Sequence, residues 1–81
     1  VVCRLIDESI GAEFRIGFDA MPFREVVVFT PPFGDDIIAI EPYTQTTDAI
    51  NLHQRGVDAG LRILKPGQQE SMRITMETAE C

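Results

Sequence analysis

Hydrophobic residues occur along the chain in short runs, which glycine, proline and acidic residues separate. Residues 1–6 form the first run, and residues 13–18 follow it after an acidic turn. Polar and apolar positions alternate strictly in the second run, which is typical of a strand with one buried face. The side chains predicted to share that buried face are Phe14, Ile16 and Phe18.

Three later stretches also predict strands and turns. Residues 25–30 form a nearly continuous apolar run, which predicts a strand covered on both faces and therefore a second layer. Residues 61–64 predict another strand, and residues 65–68 predict a type II turn, with proline second and glycine third. Residues 71–77 alternate again, as in a strand with one face in solvent. The side chains predicted to point inward are Met72, Ile74 and Met76.

The run that ends at Glu41 carries the candidate chemistry. Residues 37–40 are apolar and mostly β-branched, so they predict a strand, and Pro42 is expected to end it because proline cannot donate to a ladder. Alternation places Glu41 on the face of Ile37 and Ala39. Partial burial there would raise the pKa of Glu41 toward the range of a general acid or base. The alternative is a solvated glutamate at a strand end.

The remaining stretches are polar and rich in turn-forming residues. Residues 31–36 predict a turn before the Glu41 strand, and residues 43–60 form a longer connection. Within that connection, Asp48 can cap a short helix over residues 49–55 that Gly56 ends, and an ordered loop is the alternative. Six strand-like runs with turns between them predict an all-β fold, an antiparallel β-sandwich or part of one.

Composition and charge narrow the classes of partner. The chain has 81 residues, of which 44% are hydrophobic and 25% charged, as expected of one folded domain or a piece of a larger one. Its net charge of −6 opposes binding to nucleic acid or to anionic membrane surfaces. Its apolar runs are far shorter than the roughly 20 residues that span a bilayer. A soluble, cytoplasmic protein is the expectation.

The cysteines and the first residue add two expectations. Cys3 and Cys81 lack the spacing of a zinc site, and two reduced thiols are expected, with a single bridge between them as the alternative. The chain opens on Val1 with neither an initiating methionine nor a secretory leader, which suggests a fragment. An isolated fragment of a sandwich exposes strand edges and an apolar face, so self-association is expected.

An ordered set of short motifs resembles the carboxyl-terminal part of the aldose 1-epimerase, or galactose mutarotase, family. The set extends from residue 26 to residue 67, and its order and spacing agree over most of the chain. The motifs are Val26-Val27-Val28-Phe29-Thr30-Pro31-Pro32, Ile40-Glu41-Pro42-Tyr43-Thr44, Asp48-Ala49-Ile50-Asn51-Leu52, Asp58-Ala59-Gly60-Leu61 and Leu64-Lys65-Pro66-Gly67.

The resemblance implies a fold, a reaction and one catalytic residue. The fold is a large β-supersandwich of which residues 1–81 form the carboxyl-terminal segment, with a hexose such as galactose or glucose bound in an open cleft. Glu41 matches the family's general base, which takes the proton of the anomeric hydroxyl while a histidine protonates the ring oxygen. No metal or other cofactor is implied. The acid histidine and the sugar-contacting residues lie upstream in the family, so substrate-binding residues within this chain stay unassigned.

The resemblance gives no role to several other polar and aromatic residues. His53 is the single histidine, and we expect a loop position rather than a catalytic acid or a metal ligand beside Glu41 and Asp48. Arg55 and Asp58 are expected to form a local ion pair or to be solvated. Two aromatic residues, Phe33 and Tyr43, are expected in loops on either side of the Glu41 strand. Their rings either stack on a sugar or pack within the loops.

Two classes of function remain open at this stage. In the first, the chain is part of an aldose 1-epimerase whose site is completed by the upstream part of the same domain or by a self-associated copy. In the second, it is a non-catalytic carbohydrate-binding or assembly module that keeps a mutarotase-like sandwich. The enzyme would act on a hexose, and the module would bind a carbohydrate or serve in assembly. The enzyme has an acid near Glu41, and the module lacks it.

Overall fold

The computed structural model describes residues 1–33 and 36–81 of the chain. Five strands and one short helix follow one another along the sequence. The elements are β1 (Val2–Asp7), β2 (Ala12–Phe18), β3 (Glu25–Phe29), β4 (Ala39–Tyr43), α1 (Ala49–Gln54) and β5 (Ile74–Glu80). The turn predicted at residues 31–36 includes Gly34 and Asp35, which lie outside the described residues.

Three strands form an antiparallel sheet in the order β1-β2-β5. β2 is its centre, with Leu5 of β1 and Thr78 of β5 both opposite Phe14. The first two strands lie where the alternation of polar and apolar residues predicts them. β5 begins three residues later than the predicted strand and extends beyond it, so the last strand is confirmed with shifted bounds.

The apolar face of this sheet is only partly covered. Ile16 and Phe18 of β2 are buried, and the ring of Phe18 meets that of Phe23 edge-on with centroids 5.7 Å apart. Ile74 and Met76 of β5 share this face but are 41% and 68% exposed. The prediction that the methionine stripe points into a core is therefore wrong for Ile74 and Met76, because the described residues leave this face of β5 partly uncovered.

The opposite face of the sheet carries a buried carboxylate. Glu13 of β2 is 3% exposed and lies between Arg4 of β1 and Arg15 of its own strand. Arg4 Nε donates to Glu13 Oε1 at 2.5 Å, and Arg15 Nε donates to Glu13 Oε2 at 2.6 Å. Burial alone would raise the pKa of Glu13, but the hydrogen bonds and charges of the two arginines outweigh it and lower that pKa.

The remaining two strands, β3 and β4, form a separate antiparallel sheet. Val28 and Phe29 of β3 are 61% and 53% exposed, so the prediction that this strand is covered on both faces is wrong among the described residues. Pro42 does not end the Glu41 strand, because it lies inside β4 opposite Val26. A two-stranded sheet tolerates proline, since each strand keeps one edge without ladder partners.

The connection after β4 contains the short helix α1, so the predicted helix is confirmed and the alternative of a loop is wrong. Its carboxyl end is a Schellman motif: the Gly56 N–H donates to the His53 carbonyl and the Val57 N–H donates to the Leu52 carbonyl, both at 3.0 Å. Gly56 has φ +78, which glycine adopts without strain. Asp48 precedes the helix but makes no side-chain cap, so its predicted capping role is wrong.

The chain between α1 and β5 differs from its prediction in one part. Residues 61–64, predicted as a strand, belong to no sheet. The type II turn that follows is confirmed: the Gln68 N–H donates to the Lys65 carbonyl at 2.9 Å, and Gly67 has φ +80. The strand pattern of residues 61–64 thus has no ladder partner within residues 1–33 and 36–81.

The whole chain is mostly β, antiparallel and open in shape. A compact domain of this length has a radius of gyration of about 12 Å, whereas this chain has one of 16.2 Å. Within the described part, the contacts between strands lie chiefly inside each sheet, and the two sheets do not share a continuous core. Cys3 and Cys81 are both free. The described residues contain no helix with the length and apolar character that a membrane crossing needs.

Glu13→Gln is expected to lower the free energy of unfolding at neutral pH and to weaken its dependence on pH. The folded pKa of Glu13 is lowered, so its stabilising contribution is complete above the ordinary glutamate pKa of about 4.3 and is lost as pH falls through the folded value. Urea unfolding at about pH 7 and about pH 3 measures the difference for both proteins.

Glu77→Gln is the matched control for that experiment. Glu77 lies on the same face, 3.7 Å from Arg15, but its side chain is 67% exposed, so its removal should change stability little. An E13Q variant whose stability falls with acid as steeply as that of the wild type would contradict the proposed role of the buried carboxylate.

Candidate functional site

Glu41 lies within β4, opposite Val27 of β3. Strand alternation puts it on the face of Ala39, as expected, while Ile37 precedes the strand. Its side chain is half-buried. The strand therefore holds the Glu41 carboxylate on a defined face of the two-stranded sheet.

Glu41 differs from the other described carboxylates in its lack of partners. Seven of them accept a hydrogen bond or an ion pair from a neighbouring residue. Glu41 has no such bond to any residue in the described ranges, and the other carboxylates of which this holds belong to exposed residues. These exposed residues are Glu8, Asp19, Asp36 and Glu80. The Glu41 side chain is partly covered by its neighbours while its carboxylate oxygens are not buried, and this combination marks a candidate site.

Two aromatic residues flank Glu41 on the same face. Tyr43 follows it by two positions in β4 and is half-buried. Phe29 lies opposite Ala39 in β3 and is 53% exposed. The sequence places Tyr43 in a loop because Pro42 was expected to end the strand, and this prediction is wrong. Phe33, the other aromatic candidate, is 87% exposed and precedes the undescribed residues.

The connection between β4 and residue 60 folds back onto the start of β3. The Thr46 N–H donates to the Ala59 carbonyl at 2.8 Å, which closes the connection into a loop. The Thr46 hydroxyl donates to Glu25 Oε1 at 2.7 Å, and Glu25 lies opposite Tyr43. These bonds fix the end of the sheet that carries Tyr43. The two bonds of Thr46, together with the ion pair between Arg24 and Asp58, are termed the loop clamp.

An ion pair completes the loop clamp. Arg24 Nη1 lies 2.9 Å from Asp58 Oδ1, and the Gly60 N–H donates to the same oxygen at 3.2 Å. The hydrogen bond from Arg24 is the main cause that lowers the pKa of Asp58, and the bond from Gly60 adds to it. The expected local ion pair of Asp58 with Arg55 is therefore not formed, and Asp58 pairs with Arg24, 34 positions away.

Gly60 permits the close approach on which the loop clamp depends. It has φ +74, and a Cβ at this position would lie 2.7 Å from the Thr44 carbonyl oxygen and 2.6 Å from Arg24 Cδ. Only glycine combines that φ with so close a backbone neighbour. The sequence gives no sign of this contact, because the residues that meet here are far apart along the chain.

His53 is not part of the Glu41 site. It is exposed on α1 and lines a separate groove of about 360 Å³ with residues 56–61. Glu41 lines neither this groove nor any of the four other principal grooves in the described part of the chain. Within residues 1–33 and 36–81, no three histidine, cysteine or acidic side chains form a metal-binding group.

Comparisons with protein-family models, with curated proteins and with solved structures found no match for this chain. The geometry of the Glu41 face is therefore the basis on which a function is proposed.

Gly60→Ala is expected to destabilise the chain more than Gly67→Ala does. Both glycines have positive φ, so alanine should cost about 1 kcal/mol in strain at either position. A Cβ at Gly67 meets nothing within 4 Å, whereas at Gly60 the backbone contact should add about 1–3 kcal/mol. Urea unfolding of the two variants measures the difference. Equal losses of stability would show that the loop clamp does not depend on the close approach.

Proposed function

We propose that the chain is part of an aldose 1-epimerase and supplies its general base, Glu41. The proposed reaction interconverts the α and β anomers of a hexose such as galactose or glucose. The observation that carries the proposal is the half-buried Glu41 side chain, whose carboxylate has no partner among the described residues and faces the same side as two aromatic rings. The ordered motifs described above support the choice of this enzyme family.

The carboxylate has the properties that a general base needs. A charged carboxylate has no proton to donate and therefore only accepts hydrogen bonds. No arginine or lysine in the described ranges forms an ion pair with Glu41. A sugar hydroxyl that reaches the sheet therefore meets an acceptor whose capacity is unused. Because Glu41 stands on a strand rather than on a loop tip, its position relative to a bound ring is restrained.

The aromatic residues support a carbohydrate ligand in particular. Phe29 and Tyr43 present apolar surface on either side of Glu41, and such surface can pack against the C–H face of a pyranose ring. In this arrangement the ring would lie across the sheet, with its anomeric hydroxyl toward the carboxylate. Tyr43 also has a hydroxyl that can bond to the sugar.

The proposed mechanism divides proton transfer between two groups. Glu41 takes the proton of the anomeric hydroxyl while an acid from outside this chain protonates the ring oxygen, so the C1–O5 bond breaks and an open-chain aldehyde forms. Rotation about C1–C2 presents the other face of the aldehyde, and reversal of the proton transfers closes the ring to either anomer. General acid and base catalysis of this kind contributes roughly 10²–10⁴-fold to the rate.

The proposal also covers the larger fold and its setting. The two antiparallel sheets would belong to a mutarotase-like supersandwich, with residues 1–81 as its carboxyl-terminal segment and the upstream part of the domain providing the acid. The free thiols of Cys3 and Cys81 suit a reducing compartment, and we place the enzyme in the cytoplasm.

A carbohydrate-binding or assembly module without catalysis is the second candidate. It is favoured by one observation: the described residues on the face of Glu41 include no histidine, and His53 lines a different groove. In this case the carboxylate and the rings would hold a sugar without opening it.

Glu41→Gln is expected to abolish the acceleration of mutarotation. The polypeptide that carries this chain, expressed with its contiguous coding sequence, is mixed with fresh α-D-galactose, and optical rotation is followed beside a buffer blank. Loss of the base should lower the catalysed rate by roughly 10²–10⁴-fold. Glutamine keeps the size of the side chain and its ability to accept a hydrogen bond, so galactose binding measured by calorimetry should persist.

Glu80→Gln is the matched control for this experiment. Glu80 is another strand glutamate without a partner among the described residues, but it is fully exposed, so E80Q should keep the wild-type rate. An E41Q variant with most of the wild-type rate would contradict the role of Glu41 as base. Binding of galactose without acceleration by the wild type would favour the non-catalytic module, and absence of binding would contradict both candidates.

A further inference from the structure

Residues 61–64 carry a strand sequence and, with Lys65 at the start of the following turn, form a stretch that has no strand partner among the described residues. Within the described chain, the backbone groups of residues 61–64 make no hydrogen bond, although their side chains predict a strand. Ile63 and Leu64 are 65% and 52% exposed. The stretch is termed the free segment here. The bonds at Gly60 hold one end of the free segment, and the turn that begins at Lys65 holds the other.

An open groove beside β1 offers what the free segment lacks. The groove has a volume of about 730 Å³ and is lined by residues 5–8, Thr30 and residues 36–38. Val1 and Phe18 exchange both backbone hydrogen bonds, so the alternation of an antiparallel ladder turns the backbone groups of Val2, Arg4 and Ile6 away from β2. Such an edge is a template for one more strand.

The side chains of the groove and of the free segment are complementary. The groove combines apolar side chains with three carboxylates at its rim. The apolar residues are Leu5, Ile6, Ile37 and Ile38, and the carboxylates are Asp7, Glu8 and Asp36. The free segment combines Ile63 and Leu64 with two basic residues, Arg62 and Lys65. Arg62 pairs with Glu70 of its own chain, whereas the Lys65 side chain has no ion pair within the described ranges.

The length of the free segment also fits the edge. Five residues in a strand span about 17 Å, and the six residues of β1 span about 20 Å. The free segment is therefore short enough to lie along β1. It does not line the groove of its own chain, so a second copy would have to supply it.

The chain exposes more surface than a compact chain of its mass, and the excess matches what a stable dimer buries. A compact chain of 9.0 kDa exposes about 4,900 Å², whereas this chain exposes 6503 Å². The excess of roughly 1,600 Å² per chain lies within the range buried by each partner of an obligate homodimer. A surface this large and this apolar is seldom left uncovered in water.

We propose that two copies of the chain associate reciprocally, each placing its free segment along β1 of the other. The added strand extends the three-stranded sheet on both sides of the dimer. Ile63 enters the partner's apolar groove, and Lys65, on the same face of the added strand, lies against the acidic residues near Glu8, while Leu64 points to the opposite face. The inference does not rest on the proposed function, because it concerns strand edges and not the Glu41 face.

Ile63→Asp is expected to break the dimer. The wild-type chain should sediment at equilibrium as a species of about 18 kDa, twice the 9.0 kDa of one chain. The new carboxylate would be buried without a partner in an acidic, apolar groove, so I63D should dissociate at least about 10-fold more readily. Ile63 is 65% exposed in the single chain, so its own fold should persist, which circular dichroism checks.

Ile50→Asp is the matched control. Ile50 is 63% exposed on α1 and does not line the groove beside β1, so I50D should stay dimeric. A monomeric wild type at high protein concentration would overturn the proposal. So would an I63D variant that dimerises as tightly as the wild type, because the association would then use another surface.

A charge exchange tests which surfaces meet. Lys65→Glu brings a carboxylate to the acidic rim and should weaken the dimer by about 2–10-fold, and Glu8→Lys should have a similar effect by placing two ammonium groups together. The double variant restores an opposite pair with reversed polarity, so its dissociation constant should return toward that of the wild type. A double variant as weak as the sum of its single changes would overturn the proposed register.

Discussion

The pairing of β2 on both sides is the interaction on which the larger sheet depends. β1 reaches β2 through a short turn, but β5 comes from the far end of the chain, and the pair Gly17 and Thr75 joins residues separated by 58 positions. Closing so long a loop costs entropy before any contact forms, so the ladder needs strong support. β2 supplies it from both faces: Ile16 and Phe18 are buried on one, and Glu13 with its two arginines on the other.

Local patterns predicted much of this fold, and the errors that concern covered faces and missing strand partners share one cause. Strict alternation located β2, and the positions of Pro66 and Gly67 located the type II turn, because both signals act within a few residues. The predictions that β3 is covered on both faces and that the methionines point inward were wrong. An apolar run indicates that a face needs a partner, but it does not indicate that the chain provides one. The strand pattern of residues 61–64 failed for the same reason.

The candidate site was predicted in position but not in surroundings. Glu41 follows from an apolar strand that meets a Glu-Pro pair, and the strand is present. Tyr43 was assigned to a loop because Pro42 was treated as a stop, although proline is tolerated where a strand keeps a free edge. The contact of Gly60 with Thr44, and the bond of Thr46 to Glu25, join distant residues through side-chain geometry that no periodicity records.

The site and the uncovered surface meet in the two-stranded sheet. An isolated pair of strands is marginal in water, and β3 and β4 have the loop clamp as their main additional support. Val26 and Val28 are exposed on the face that does not carry Glu41. A layer that covered those valines would stabilise the sheet and leave Glu41 open to a ligand. Covering the exposed valines would therefore hold the Glu41 strand in place while the face that carries the carboxylate stays accessible.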